Sequence, residues 1–409
     1  MTATEMGADT TPTLRRPRRS APHSSAVPDR TTTLTWQDAR RPLAAYGASL
    51  LLILTTAWVA MLTSGGTDRG RGPWPRLPES TTGIFRILGR WDAAWYVDLA
   101  RNGYPDAAAY AKDVRLGAFY PVIPGLIRTV SALTGIPEVA AGMAVGIVCG
   151  AAAVLVVWQL TRELAGQLAA DRAATLLAFF PAAFVFLMPY TEGLAIAAAG
   201  GAILATRRDR WVLAGLLGAV ATATRSNTVV IVLALAVAAW GQGRKAWWAP
   251  AIAASGVAVT WTAMWARTGE VLSWMHAERI GWKEQMDFGA GTVRHIQRFI
   301  EQTTISLRPT GLIDLTVTLG VVLAVIGVIA LWRWRPPLPV LVYGLGALAL
   351  AGASSVVGPR PRMILGAFPL IMAVGVLVPA RAYRWVVGAS ALLLVAASWI
   401  TFTTIAVAP

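Results

Sequence analysis

Long apolar segments alternate with short polar ones along almost the whole chain. Runs such as 50–62, 141–157 and 320–332 are apolar on every helical face, so each needs apolar surroundings on all sides. The pattern predicts membrane helices, most of them close to the roughly 20 residues that cross a bilayer, at 43–63, 117–134, 138–160, 173–189, 191–206, 211–224, 227–240, 247–266, 311–332, 338–357, 362–379 and 385–406.

Two polar interruptions, 64–116 and 267–310, are much longer than the other connections. The pattern therefore predicts a tight helical bundle with two large loops outside the membrane. With 56% hydrophobic and 14% charged residues, the chain has too few polar side chains to cover the surface of a soluble protein of this size. The predicted fold class is an all-α polytopic membrane protein.

The N-terminal segment differs in composition from the rest of the chain. Residues 1–41 are rich in Pro, Ser, Thr and Arg, which predicts a disordered basic cytoplasmic tail before a membrane domain at 42–409. Segment 44–62 is long enough to remain as a true span, so it is not predicted to be a signal peptide. The single cysteine, Cys149, lies in an apolar run and is predicted to be a small core residue.

The net charge of +15 is concentrated in short basic clusters between the apolar spans. Such clusters mark cytoplasmic loops, with anionic membrane lipid as the counter-charge, and we do not expect nucleic acid to bind. The clusters are Arg15, Arg16, Arg18, Arg19, Arg40 and Arg41 before the first span, then Arg207, Arg208 and Arg210, Arg244 and Lys245, Arg333 and Arg335, and Arg381 and Arg384.

This charge pattern predicts a topology. With the N-terminus in the cytoplasm, residues 64–116 emerge outside. Residues 267–310 lie between the basic clusters at Arg244-Lys245 and Arg333-Arg335, both predicted inside, and one span separates them from each, so they also emerge outside. If all four predicted spans between the first loop and Arg207 crossed the membrane, that basic cluster would lie outside. One short segment must therefore fail to cross, and Pro181 and Pro189 point to 173–206. We expect about eleven crossings and an external C-terminus.

The first candidate for chemistry lies in the first long loop, after the first apolar span. Arg90-Trp91-Asp92 leads through Tyr96 to Gly103-Tyr104. A carboxylate is costly at the mouth of a membrane bundle, and Asp92 is therefore predicted to act as a general base. The alternative is an interfacial helix anchored by its tryptophans, in which Asp92 pairs with Arg90.

Further polar groups interrupt apolar helices. Glu192, in Tyr190-Thr191-Glu192, is predicted to hold an arginine or the substrate, or else to satisfy a broken helix. Arg225, Arg360 and Arg362 fall near the predicted outer face and are natural partners for phosphate. The alternative is that each arginine merely reaches towards the membrane surface from a helix end.

The second long loop adds Trp274, His276 and Trp282, with His295 further on. The tryptophans are candidates for stacking on a sugar ring or for the membrane interface, and His276 for a substrate contact or a structural hydrogen bond. The histidines have no metal-ligand spacing, and P-loop, dinucleotide-binding and CxxC motifs are absent. No metal and no cofactor are predicted.

In order and membrane context these motifs resemble the family of the second mannosyltransferase of GPI-anchor biosynthesis (PIG-V-like) and its bacterial relatives. The resemblance covers roughly 85–300 and a patch near 360–370. It rests on Arg90-Trp91-Asp92, Gly103-Tyr104, Ala118-Phe119-Tyr120-Pro121, Phe180-Pro181, Tyr190-Thr191-Glu192, Arg225, Trp274 to Trp282, Arg362 and Phe368-Pro369. The chain departs mildly from the family at Thr191, where Ser is common, and at Tyr120, where Phe is common.

The resemblance implies a GT-C membrane bundle that carries its catalytic aspartate, Asp92, on the first external loop. Such enzymes transfer a sugar, generally mannose, from a polyprenyl-phosphate carrier with inversion, here to a glycan, glycolipid or protein acceptor at the outer face of the plasma membrane. The predicted substrate-binding residues are Arg90, Trp91, Tyr96, Tyr104, Tyr120, Tyr190, Glu192, Arg225, His276, Trp282, Arg360 and Arg362. The competing hypothesis is a transporter or flippase of a lipid-linked sugar, and a third is an inactive scaffold.

Overall fold

Helices make up most of the structure, a computed structural model that describes residues 36–64, 74–302 and 309–404. Within these ranges the chain forms no β-strand, and its one isolated bridge joins Met286 to Ser354. The helices are α1 (Trp36–Ser64), α2 (Gly83–Leu88), α3 (Asp92–Asn102), α4 (Ala107–Lys112), α5 (Val122–Thr134), α6 (Glu138–Ala165), α7 (Gln167–Ala178), α8 (Glu192–Thr206), α9 (Trp211–Thr224), α10 (Val230–Ala239), α11 (Trp248–Thr268), α12 (Ser273–His276), α13 (Ala290–Glu301), α14 (Pro309–Trp334), α15 (Leu338–Gly352), α16 (Pro361–Gly366), α17 (Pro369–Leu377) and α18 (Ala380–Thr403).

Four of these helices are long and apolar enough to cross a membrane, within α1, α6, α14 and α18. Their outward faces carry large apolar side chains such as Leu51, Val148 and Leu392. A soluble protein would hide such side chains from water, whereas lipid tails solvate them. The protein is therefore a multi-pass membrane protein. The number of crossings and their orientation stay predictions.

The helix break predicted around Pro181 and Pro189 is confirmed. Helix α7 ends at Ala178 and α8 begins at Glu192, and a buried 3₁₀ turn, Ala183–Phe186, lies between them. Each proline lacks a backbone N–H and cannot continue a helix. Because the break ends at Glu192, it places that carboxylate at a helix start inside the bundle.

Several predicted boundaries shift. Helix α1 begins at Trp36, so residues 36–41, assigned above to the tail, are helical, and residues 1–35 lie outside the described ranges. Helix α5 begins at Val122 rather than at residue 117, because Val114–Ala118 forms a separate 3₁₀ turn and Pro121, which has no backbone N–H, lies directly before the helix. Pro369 likewise begins a new helix, so the predicted span 362–379 is divided into α16 and α17.

Two glycines allow neighbouring segments of the bundle to approach closely. A β-carbon at Gly256 of α11 would overlap the carbonyl oxygen of Ala219 in α9. A β-carbon at Gly320 of α14 would overlap the carbonyl oxygen of Pro359. Gly320 therefore makes room for the backbone that enters α16, and so helps to set where Arg360 and Arg362 lie.

Candidate active site

Asp92 begins helix α3 directly after a strained residue. Trp91 has a φ of +63°, which a bulky side chain rarely adopts. Two hydrogen bonds hold this conformation: the Trp91 indole N–H donates to the Thr401 carbonyl at 3.0 Å, and Arg90 donates to the Phe402 carbonyl at 2.9 Å. Strained backbone persists where its surroundings determine it in this way, and it is concentrated at functional sites.

The carboxylate of Asp92 belongs to a chain of four charged side chains. Arg362 Nη1 lies 2.5 Å from Asp92 Oδ2, and Arg362 Nε lies 2.5 Å from Glu192 Oε1. Arg225 also pairs with Glu192. The Arg362 guanidinium lies 4.5 Å from the centre of the Tyr190 ring. We call Asp92, Glu192, Arg225 and Arg362 the charge cluster; its formal charges sum to zero.

The centre of the charge cluster is buried. The side chains of Glu192 and Arg362 are 2% and 7% exposed, while that of Asp92 is 23% exposed. Burial of ions costs several kcal/mol each unless they are paired in good geometry. Glu192 pairs with two arginines, Arg225 and Arg362, in keeping with the arginine partner that was one of the predicted alternatives. Asp92 pairs at 2.5 Å with Arg362, which lies 270 residues further along the chain. The alternative prediction was a pair with the neighbouring Arg90.

A cavity of about 1030 Å³ adjoins the charge cluster. Of the predicted site residues, Tyr120, Arg225 and His276 line it. Asp92 does not line the cavity. Arg225 connects the charge cluster to the cavity, because it belongs to both and also donates a hydrogen bond to Met363 in the cavity wall. The cavity has an apolar wall that includes Val229, Val257, Leu272, Ile280, Leu350 and Val357.

Aromatic rings form another part of the cavity wall. The Trp261 and Trp274 rings stack with centroids 6.4 Å apart and planes inclined by 20°. The Tyr120 hydroxyl accepts a hydrogen bond from Trp261 at 3.3 Å, and its ring meets Trp274 edge-on. Rigid aromatic surface of this kind suits a flat ligand face at little entropic cost.

The second loop supplies carboxylates that the sequence analysis did not single out. Glu270 lies 2.6 Å from His276 Nδ1, and both line the cavity. Glu278 also lines it, and burial, with the nearby negative charges of Glu284 and Asp92, raises the pKa of Glu278 to about 7. The sequence did offer one sign of this cluster: three carboxylates lie within fifteen residues, 270–284, with two tryptophans between them.

Glu284 joins the second loop to the segment that precedes Arg360. Its carboxylate accepts hydrogen bonds from the Ser354 hydroxyl at 2.7 Å, the Ser355 N–H at 2.7 Å and the Val357 N–H at 3.1 Å. The backbone adds a further bond from Ser355 N–H to the Gln285 carbonyl at 2.9 Å. Glu284 therefore fixes the loop that leads to the arginines. Its partners lie about seventy residues away, which no local pattern reveals.

Replacing Glu284 by Gln is expected to loosen this loop. Hydrogen bonds to charged acceptors contribute about 1.5–3 kcal/mol each, so losing the charge should accelerate amide exchange across 353–360 by about tenfold or more. Hydrogen-exchange mass spectrometry of that peptide measures the effect, with Glu301→Gln at the exposed end of α13 as the matched control. An exchange rate equal to that of the control would show that Glu284 does not hold the loop.

The remaining predicted site residues lie in packed surroundings. The Tyr104 hydroxyl donates to the Phe119 carbonyl, and the buried Tyr96 ring meets the Phe119 ring edge-on at 5.1 Å. Trp282 packs on Trp95 and donates to the Arg115 carbonyl at 3.2 Å. Their substrate contacts stay predictions. Arg360 is buried and donates to the Val356 carbonyl at 3.3 Å.

Comparison with known proteins gives distant structural likenesses only. The chain matches no protein-family model and no curated protein. It is similar to ArnT from Cupriavidus metallidurans, solved with undecaprenyl phosphate, at 15% identity and a TM-score of 0.45, over 87% of this chain and 76% of that one. It is also similar to the oligosaccharyltransferase of Archaeoglobus fulgidus, at 12% identity and a TM-score of 0.39, over 86% of this chain and about half (52%) of that one.

Proposed function

We propose that this protein is an inverting GT-C glycosyltransferase that transfers a sugar, most simply mannose, from a polyprenyl-phosphate carrier to a hydroxyl acceptor. One observation carries the proposal: a charge cluster with two arginines and a partly exposed aspartate adjoins an apolar and aromatic cavity in a membrane bundle. The family resemblance of the motifs around Asp92 supports mannose as the sugar and the outer face of the plasma membrane as the place of reaction.

The donor fits the cavity by its chemistry. A polyprenyl phosphate has an apolar chain that stays in the bilayer and an anionic head that needs fixed positive charge. The apolar wall suits the first isoprene units, and Arg225 at its border offers two-pronged hydrogen bonding to phosphate. In this arrangement the donor sugar lies towards Tyr120, which also lines the cavity.

Asp92 is the proposed general base. It takes the proton of the acceptor hydroxyl as that oxygen attacks the anomeric carbon from the face opposite the phosphate. The bond between the anomeric carbon and the phosphate oxygen breaks, and its electron pair leaves with the polyprenyl phosphate. The arginines of the charge cluster stabilise that leaving group. Arg362 holds Oδ2 of Asp92, which orients the carboxylate for the incoming hydroxyl.

A transfer assay tests the function against its competitor. The protein in liposomes receives polyprenyl-phosphate-mannose labelled in the sugar, together with lipids extracted from a mannose-poor membrane as acceptors. We expect label to leave the donor and appear in a new product, and GDP-mannose to be inactive as a direct donor. Movement of intact donor across the bilayer with no new product would favour the flippase instead.

A further inference from the structure

Glu278 lies on an unusual backbone turn. Residues Ala277–Gly281 form a π-helical turn, a rare conformation that occurs frequently at functional sites. Gly281 lets this turn lie directly against Arg115, since a β-carbon there would meet the Arg115 side chain and backbone. The turn carries Glu278 into the wall of the cavity beside the stacked Trp261 and Trp274.

Among the acidic residues that line the cavity, Glu278 has the fewest protein partners. Glu270 is occupied by His276, and Glu284 by the hydroxyl and backbone groups of 354–357. Glu278 lies in the same cavity wall as Trp274, the ring that stacks on Trp261. A carboxylate therefore lies at the border of an aromatic surface, within the same cavity as Arg225.

We propose that Glu278 and Trp274 form the acceptor subsite, which binds a neutral sugar ring by stacking its apolar face on the indole and hydrogen-bonding its hydroxyls to the carboxylate. The inference rests on the proposed function and adds the substrate class on the acceptor side. A neutral ligand fits because its hydroxyl groups hydrogen-bond to a carboxylate without adding a further negative charge to a cavity lined by Glu270, Glu278 and Glu284. An ionised carboxylate accepts strong hydrogen bonds from hydroxyl groups, which its protonated form does not match.

The surroundings of Glu278 make this subsite sensitive to pH. Burial, Glu284 and Asp92 raise its pKa, and Arg225 and the Trp274 N–H act against them, leaving it at about 7. The other charged groups nearby are Arg115 from the 3₁₀ turn Val114–Ala118, which pairs with Asp113, the His276–Glu270 pair of the same loop, and Arg279 and Lys283. The carboxylate is ionised above neutrality, so acceptor affinity rises as the pH rises through 7.

Acceptor kinetics test the subsite with octyl α-mannoside as the probe. At saturating polyprenyl-phosphate-mannose, the wild-type KM for the probe is expected to fall about tenfold between pH 6 and pH 8. In Glu278→Gln that KM should be about tenfold higher at pH 8 and independent of pH, while the donor KM is unchanged. Glu301→Gln is the matched control and should follow the wild type. A Glu278→Gln variant that retains the wild-type pH dependence would overturn the proposal.

A binding measurement separates this inference from the proposed function. Binding of octyl α-mannoside to the purified protein, followed by calorimetry in detergent at pH 6 and pH 8, needs no turnover. Tighter binding at pH 8 that is lost in Glu278→Gln supports the subsite even if no sugar is transferred. Binding that is equal in the variant and the wild type overturns the subsite, whatever the transfer assay shows.

Discussion

Replacing Asp92 by Asn is expected to lower the rate of sugar transfer by about 10²–10⁴-fold, the usual contribution of a general base. Asparagine has nearly the same size and still offers an oxygen to Arg362, but it cannot take a proton. Donor binding should persist, because the apolar wall and Arg225 remain. A single-turnover assay with labelled polyprenyl-phosphate-mannose measures the chemical step, and retention of the donor on the protein measures binding.

Asp98→Asn is the matched control, since Asp98 lies on the same helix α3 and its side chain bonds to Asn102 rather than to the charge cluster. This control should transfer sugar at close to the wild-type rate. The melting temperature of each variant in detergent shows whether folding is intact. A folded Asp92→Asn protein with wild-type turnover would remove Asp92 from the mechanism.

Replacing Arg362 by Met should strongly destabilise the fold. The change leaves the nearly fully buried Glu192 with Arg225 alone and removes the partner of Asp92. Breaking a buried ion pair by removing one member costs about 3–5 kcal/mol, because the remaining charge is left in a poor solvent. The free energy of unfolding, measured in mixed detergent micelles, is expected to fall by this amount.

Two further variants separate charge imbalance from lost packing. Arg41→Met removes an arginine whose ion pair with Asp171 is exposed, and it should change stability by less than about 1 kcal/mol. The double variant Arg362→Met with Glu192→Gln removes one charge of each sign and should recover part of the loss. If the double variant is less stable than Arg362→Met, imbalance of charge is not the cause.

Much of the helical framework could be predicted from the sequence, because an apolar run flanked by Pro, Gly or Arg specifies a helix and its ends by itself. The interruption between α7 and α8 followed from Pro181 and Pro189 in this way. The partners of the helices could not be predicted, because spans that are apolar all round give no sign of which face meets which neighbour. The pairing of Arg362 with Asp92 depends on that missing information.

The candidate site shows the same division. Asp92, Glu192, Arg225 and Arg362 stand out in the sequence because charge in an apolar context is costly, and the structure pairs them with one another, while their roles stay predictions. Aromatic residues were ambiguous, since Tyr96 and Trp282 suit a packed interior as well as a ligand surface. The position of Glu278 in the cavity wall depends on a π-helical turn, and no hydrophobic pattern in the sequence indicates such a turn.

The bonds from Arg90 and Trp91 to the end of α18 bear on how the protein is made. Ribosomes add about 5–20 residues per second, and Thr401 follows Trp91 by 310 positions. The nascent chain therefore carries its first loop for tens of seconds before the last helix is available to receive it. Asp92, the proposed general base, therefore acquires its geometry only once α18 has been made, which keeps the proposed site incomplete during most of translation.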